Sequence, residues 1–431
     1  LRPSSFRFIT IALITLSIAP LGFAAGFAIF EQGAKATGMG GAFSATADDP
    51  SAIFYNVAGI AYQRKAAAMA GGTLIGFRNE FTSEDYEYPG PGTTENYEDH
   101  LFTPPNAYFI MPIGENATFG FGVFTPFGLR THWENQESFS GRFIAQDTNL
   151  KVFSAQPSFA WKTSNGKFAV GVGAEYRTSK VTLEKNLASV NPFTLQIADI
   201  GHVVLTSDEM NDAWGYNVGF ILRPTETWSF GVNYRAPITI DYKGKADFTQ
   251  IKTGNAQFDA IVATQLPPDQ NIKTAIDFPD MLHIGIATTA IPTWTIEFDA
   301  VMTGWSEFQK LVVDFQNAST PDLVNNEQWK DAWSYRLGAN KKVNDEWQVQ
   351  LGVLYDETPQ PVWNVGPLLP DSNRVGLSFG VEFTRGNWML AMSDLYLPFE
   401  DRNTLGWNQD HYNGVYETTA NLMSMNVGYK F

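Results

Sequence analysis

Apolar and polar residues alternate with period two along most of this chain. From Thr227 to Tyr242 the even positions Trp228, Phe230, Val232, Tyr234, Ala236, Ile238, Ile240 and Tyr242 share one face, and Ser229, Gly231, Asn233 and Arg235 lie on the other. Trp294 to Met302, Trp347 to Tyr355 and Met423 to Phe431 repeat the pattern. One apolar and one polar face suits a half-buried strand. Runs this long, with aromatics near their ends, suit a transmembrane barrel better. No apolar run beyond residue 24 approaches the ~20 residues of a membrane helix.

The pattern predicts fourteen strands, near 66–81, 105–113, 117–126, 150–162, 167–182, 213–223, 227–245, 281–290, 293–304, 333–341, 346–355, 374–384, 387–397 and 421–431. Their connections alternate between short and long. Those from Ile113 to Asn116, Arg223 to Glu226 and Ala290 to Pro292 are tight, whereas 82–104, 127–149, 183–212, 246–280, 305–332, 356–373 and 398–420 are long. Tight periplasmic turns, long external loops and an even strand number define an outer-membrane barrel. Closure removes the sheet edges that lipid does not tolerate. The expected fold is therefore an all-β, fourteen-stranded antiparallel barrel over 65–431, and Phe431 on the apolar face resembles the C-terminal signature of such proteins.

The N-terminus agrees with that address. Arg2 and Arg7 precede an apolar run from Phe8 to Ile18, Gly22 and Ala24 suit a cleavage site, and no acid occurs before Glu31. This reads as a signal peptide over 1–24. Pro20 and Gly22 break the run and argue against an anchor. The formal net charge of −16 argues against nucleic-acid binding. With no cysteine there are no disulfides or thiolate sites, and the five histidines show no metal-ligand spacing.

A barrel of this girth has a lumen to fill. The segment 25–64 does not alternate: glycines 33, 38, 40 and 41 sit among small residues, and Asp48-Asp49-Pro50 reads as a helix start. It is too short for a core of its own, so a partly helical hatch inside the lumen is expected. Its Ala25-Gly26-Phe27, Ala47-Asp48-Asp49 and Asn56-Val57-Ala58, with Pro105-Asn106-Ala107-Tyr108, Phe127-Gly128-Leu129, Trp305-Ser306-Glu307-Phe308 and Asp356-Glu357-Thr358-Pro359 further on, resemble the FadL family of outer-membrane transporters for long-chain fatty acids and related hydrophobic compounds. The resemblance spans nearly the whole chain and implies a fourteen-stranded barrel closed by a hatch, with Phe27, Asn56, Val57 and Ala58 as hatch residues. Val57 stands where the family commonly has proline.

The resemblance also implies passive, ligand-gated uptake. A third strand kinked at Pro126, Phe127 and Gly128 is implied to open the wall sideways into the membrane; proline gives no ladder hydrogen bond and glycine permits a bend. Two external loops rich in apolar residues, with Phe193, Leu195 and Ile197 on one and Phe258, Ile261 and Val262 on the other, are expected to form the capture groove. A ligand carboxylate calls for a cation, and Arg177, Arg235 and Lys310 are the candidates. Neither a catalytic group nor a cofactor is expected, since no nucleophile elbow or phosphate loop occurs. The expected partners are a fatty acid or other hydrophobic small molecule and the surrounding outer-membrane lipid and lipopolysaccharide, with the protein a monomer. The run of acids through Glu80, Glu84, Asp85, Glu87, Glu95, Glu98 and Asp99 reads as a solvated face. A hydrocarbon channel of the same family is the alternative, followed by a barrel enzyme or a soluble secreted β-protein.

Overall fold

The computed structural model describes residues 26–431, apart from 86, 87, 99, 100, 209, 405 and 407. The signal peptide expected at 1–24 lies outside the described residues.

Fourteen strands close into one antiparallel barrel. They are β1 (Ala67–Ser83), β2 (Pro105–Ile113), β3 (Ala117–Phe124, resuming at Gly128–His132), β4 (Asp147–Lys162), β5 (Phe168–Val190), β6 (Asn211–Leu222), β7 (Trp228–Arg235, resuming at Ile238–Gln250), β8 (Gln270–Phe278 and Met281–Thr288), β9 (Trp294–Thr303), β10 (Ala332–Lys342), β11 (Trp347–Asp356), β12 (Arg374–Arg385), β13 (Trp388–Pro398) and β14 (Gly414–Lys430). Closure is made where β1 pairs with β14 from Ala67↔Lys430 to Ser83↔Gly414. Long connections all fall at one end and short ones at the other, which places the long loops outside.

Polarity is inverted relative to a soluble protein. Phe121, Phe159, Val172, Phe220, Ile284 and Leu377 are exposed on the outer wall, whereas Gln156, Glu175, Asn217, Asn233, Glu297, Asp299 and Gln350 are buried inside. Lipid solvates the first set, and the lumenal segment pairs with much of the second.

That segment, residues 26–66, touches strands around the ring. It holds α1 (Ala34–Gly38), α2 (Ala52–Tyr55) and a 3-10 turn Val57–Tyr62. Asp299 accepts from the backbone N–H groups of Phe43 and Ser44, and Glu297 from those of Ala45 and Thr46. Asn426 of β14 accepts from Ala34 N–H, and Arg336 of β10 donates to Gly40 C=O. The irregular backbone is thus satisfied by wall side chains, which buried polar groups require. Small wall residues let it approach: a Cβ on Gly171, Gly231 or Gly338 would strike the backbone of Val57, Ser44 or Met39.

Two expectations about the strands change. The run 227–245 is not one alternating strand. It breaks at Ala236-Pro237, and the faces exchange there: Phe230 and Val232 point to lipid, whereas Ile238, Ile240 and Tyr242 point inward. Proline donates no ladder bond, and a one-residue slip moves every later side chain to the other face. The segments 183–212 and 246–280, expected as loops, carry strand instead. Ile197–Ser207 pairs with β5 and with the outer half of β7, which pairs with the outer half of β8. This sheet continues the wall beyond the membrane, where both faces need not be apolar. The near-helical spacing at Phe258–Leu266 is helix α3 (Ala256–Gln265), capped by Asn255 through Gln257 and Phe258 N–H.

Candidate functional site

The site is built around a break in one strand. β3 follows β4 in register from Ala117↔Trp161 to Phe124↔Ser154 and again from Gly128↔Lys151 to His132↔Asp147. Three residues, Thr125, Pro126 and Phe127, therefore stand opposite two. On its other side β3 pairs with β2 only as far as Val123↔Ala107. Beyond that the wall has a gap, and an arm of the lumenal segment lies in it. Ile29 N–H donates to Pro126 C=O at 2.9 Å, and Gly128 N–H to Phe27 C=O at 3.0 Å. Ala28 and Phe127 face each other as an antiparallel bridge.

Phe27 anchors the arm. Its ring meets Phe127, Phe278, Trp305, Phe308 and Trp329, with centroids 4.6–6.2 Å away and mostly edge-on, the geometry aromatic quadrupoles favour. It also separates two cavities. The outer one, on the long-loop side, is lined by Leu129, Leu150, Val181, Leu183, Ile276, Phe308 and Leu311, with Lys185, Glu327 and Asp410 among its polar groups. The second lies at the gap in β3, between the arm, Ile75, Phe77, Leu101, Phe102 and the outer half of β3, with Arg130, Lys151 and Arg374 on its walls. Phe27, Leu129 and Leu369 line both.

Charge in the outer cavity is muted by burial. Desolvation lifts the Glu327 carboxyl to about 7, against hydrogen bonds from Asn364 and Trp329 that pull it down. Burial lowers the Lys185 ammonium, which Asp410 partly restores, and raises Asp410. In the lumenal segment, burial and Asp48 raise Asp49 to about 6. Burial opposes the charge of Lys35, but Asp48 at 2.9 Å and Glu382 at 3.8 Å outweigh it and hold the ammonium above its usual range.

The sequence candidates fall in different places. Pro126 and Phe127 lie in the break, and Gly128 is the first residue to pair with β4 again. Asn56 donates to the carbonyls of Ser44 and Phe220 and accepts from Ala58 N–H. Val57 N–H donates to Asn233 Oδ1 at 3.3 Å, a bond that proline in this place lacks. Arg177 and Arg235 are fully buried and share Glu175 as counter-ion, with Arg235 also donating to Gln156. Lys310 shares a strand face with Val312 and Asp314, opposite the cavity residues Leu311 and Val313. These three cations do not converge on the cavity. Nor do the six apolar loop residues: Phe193, Leu195 and Ile197 lie exposed at a hairpin tip, Phe258 and Val262 form the buried face of α3, and Ile261 on the same helix is exposed. The cavity instead takes Lys185 and Glu327, which sequence reasoning missed. A signal for Lys185 existed, because it continues the inward parity of Val181 and Leu183. Trp329 and Glu327 come from a loop without periodicity and gave none.

Several acids of the first external loop are engaged with other loops. Glu95 accepts from Ser140 and Tyr412, Asp85 from Asn413, and Glu98 lies 2.9 Å from His132. Glu87 and Asp99 lie outside the described residues.

A sequence model described as "Outer membrane protein transport protein (OMPP1/FadL/TodX)" matches residues 15–431. The chain is 24% identical over 442 residues to a long-chain fatty acid transport protein of Salmonella typhi, covering 98% of both chains. It is 24% identical over 438 residues to the 47 kDa outer membrane protein of Pasteurella multocida, again covering 98% of both. Among solved structures, a Pseudomonas aeruginosa FadL homologue superposes with TM-score 0.82 at 19% identity over 94% of this chain and 100% of that one. The P. putida toluene transporter TodX does so with TM-score 0.75 at 17% identity, covering 93% and 98%.

Proposed function

We propose, since the chain belongs to the outer membrane transport protein family OMPP1/FadL/TodX, that it carries long-chain fatty acids or similar hydrophobic molecules into the cell envelope by passive, ligand-gated diffusion. The observation that carries this reading is the arm at Phe27, which borders both an apolar cavity on the outer side and the break in β3. Ligand enters the outer cavity after capture by the external loops, competes with Phe27 for its aromatic surroundings and draws the arm out of the gap. The rest of the lumenal segment, held by Glu297, Asp299 and Asn426, stays as the hatch. The ligand then leaves sideways into lipid.

Energetics favour that exit. Rehydrating a methylene costs ~0.8 kcal/mol, so a sixteen-carbon chain leaving through water faces roughly ten kcal/mol. A lateral route avoids this. One barrel contains both cavities and the gap, so a single copy is sufficient for this route, in keeping with a monomer.

Lys185 suits a carboxylate head group near the cavity mouth. A second reading, a neutral hydrocarbon, is favoured by the protonated tendency of Glu327 and by the pairing of Arg177 and Arg235 with Glu175. Uptake by a deletion strain complemented with this chain, measured over matched fatty acids, alcohols and aromatic hydrocarbons, tests both. Uptake of carboxylates above neutral analogues supports the first reading, and the reverse order supports the second. Uptake of neither class by correctly inserted protein overturns the function.

A further inference from the structure

Backbone groups freed by the break in β3 find partners in the lumenal segment, and one of those partners is a side chain. Thr125 has no neighbouring strand on the β2 side, yet its carbonyl accepts from Gln32 Nε2 at 2.7 Å and its N–H donates to Gln32 Oε1 at 3.3 Å. A carboxamide offers one donor and one acceptor side by side, as a strand backbone does. Gln32 and Thr125 are both about 1% exposed, so no water replaces these bonds. Gln32 is itself fixed: its N–H donates to Tyr55 Oη at 3.1 Å and its carbonyl accepts from Tyr108 Oη at 2.8 Å. Gln32 Nε2 also donates to Ile29 C=O at 3.0 Å, which ties the amide to the arm.

Resting on the lateral-exit reading, we propose that Gln32 is the latch of the gap: its amide stands in for the missing strand and holds the arm closed until ligand displaces it. It is a positioning residue, because it seals Thr125 and the arm without lining either cavity. Unlatching exposes Thr125 N–H and C=O together, so the gap opens as one step rather than by gradual fraying.

Substituting glutamate separates this role from simple packing. A protonated carboxyl keeps the acceptor and one of the amide's two donors, which is enough for both Thr125 bonds though not for the one to Ile29; an ionised one accepts only, and sets an anion against the Thr125 carbonyl. The charged and titratable groups around the site are Tyr55, Tyr108, Asp49, Glu31, Arg235 and Arg336. They are common to both proteins, so the readout is the variant-to-wild-type ratio at each pH. The probe is radiolabelled 1-dodecanol, whose charge does not change, and the assay is its transfer through purified protein in liposomes. For Gln32→Glu the ratio is expected near one at about pH 5 and about tenfold higher at about pH 8, and Gln32→Leu is expected to leak at both. A flat ratio for Gln32→Glu overturns the latch. Folding is checked by heat-modifiable migration; if Gln32→Leu does not fold, Gln32→Glu, refolded at low pH and then shifted, decides alone. Gly128→Val, which crowds Ile29 and Phe102, tests the underlying reading separately. Normal transfer by Gly128→Val removes the lateral exit, whereas slowed transfer with a flat Gln32→Glu ratio removes only the latch.

Discussion

Replacing Phe27 with alanine should loosen the arm without unfolding the barrel. The ring is 6% exposed and meets five aromatic rings. Truncating a buried Phe to Ala costs about 3–5 kcal/mol. None of that burial supports the strand ladder, which closes through β1 and β14. The loss should therefore fall on arm docking, which otherwise rests on bonds such as those of Ile29 N–H to Pro126 and Gly26 N–H to Asp371. At about 1.4 kcal/mol per decade, arm opening should rise roughly 100- to 4000-fold. Hydrogen exchange at Ile29 and Gly128 N–H reads that opening directly. Exchange at Val232 or Leu351 in the wall should be unchanged. Phe27→Leu, which keeps most of the volume, should lose much less. The two cavities also merge in Phe27→Ala, so basal transfer of a neutral ligand should rise while saturable retention falls. Unaltered exchange at Ile29 and Gly128 would show that the ring does not hold the arm.

Three further outcomes follow from the same geometry. Glu327 titrates near 7 when buried and about 4.5 when unfolded; the raised value means its contribution to stability is present below 4.5 and lost as pH rises through 7. Fatty-acid affinity should fall over that upper window as the cavity gains an anion, and Glu327→Gln should flatten the profile in a titration of ligand binding. Lys185→Ala should weaken carboxylate binding by ~1–3 kcal/mol and leave a neutral analogue of equal length nearly unaffected; equal losses in calorimetry would assign Lys185 a packing role. Gly231→Val places side-chain atoms against the Ser44 carbonyl, so the turn held by Glu297 and Asp299 should be displaced. The variant barrel should melt at lower temperature or pass small ions in planar bilayers, and a wild-type melting curve with no added conductance would refute that packing.

Much of the fold was legible because the membrane imposes a simple code. Period-two alternation with an apolar outer face, together with loops sorted by length, determines strand number, closure and which end faces outward. The lumenal location of residues 26–66 could be argued from size, since so short a segment has no core of its own. The outer end of β5, the strand Ile197–Ser207 and the outer half of β8 were hidden because they leave the lipid. Pro237 then shifts the faces by one residue, so alternation read straight through it assigns Ile240 and Tyr242 to the wrong side. Among site residues, Pro126 and Gly128 pointed to a weak spot in strand pairing, and the family resemblance implied the kink there. The cations were not legible: Arg177 and Arg235 sit on the expected inward face, but both are engaged by Glu175, two residues from one of them. Contacts such as Gln32 to Thr125 join residues 93 apart, and no local pattern encodes them.

The central claim is that ligand leaves through the gap that the arm closes, and a reversible lock on that arm tests it most directly. Ala28 and Phe127 form a non-hydrogen-bonded antiparallel pair, in which Cα atoms lie about 4.5 Å apart, within the range a disulfide spans. The chain has no cysteine of its own, so Ala28→Cys with Phe127→Cys introduces one defined bridge. Uptake of a radiolabelled fatty acid should stop in the oxidised protein and return on reduction, with external ligand binding retained in both states. Equal uptake by the oxidised and reduced forms would place the exit elsewhere and contradict the account.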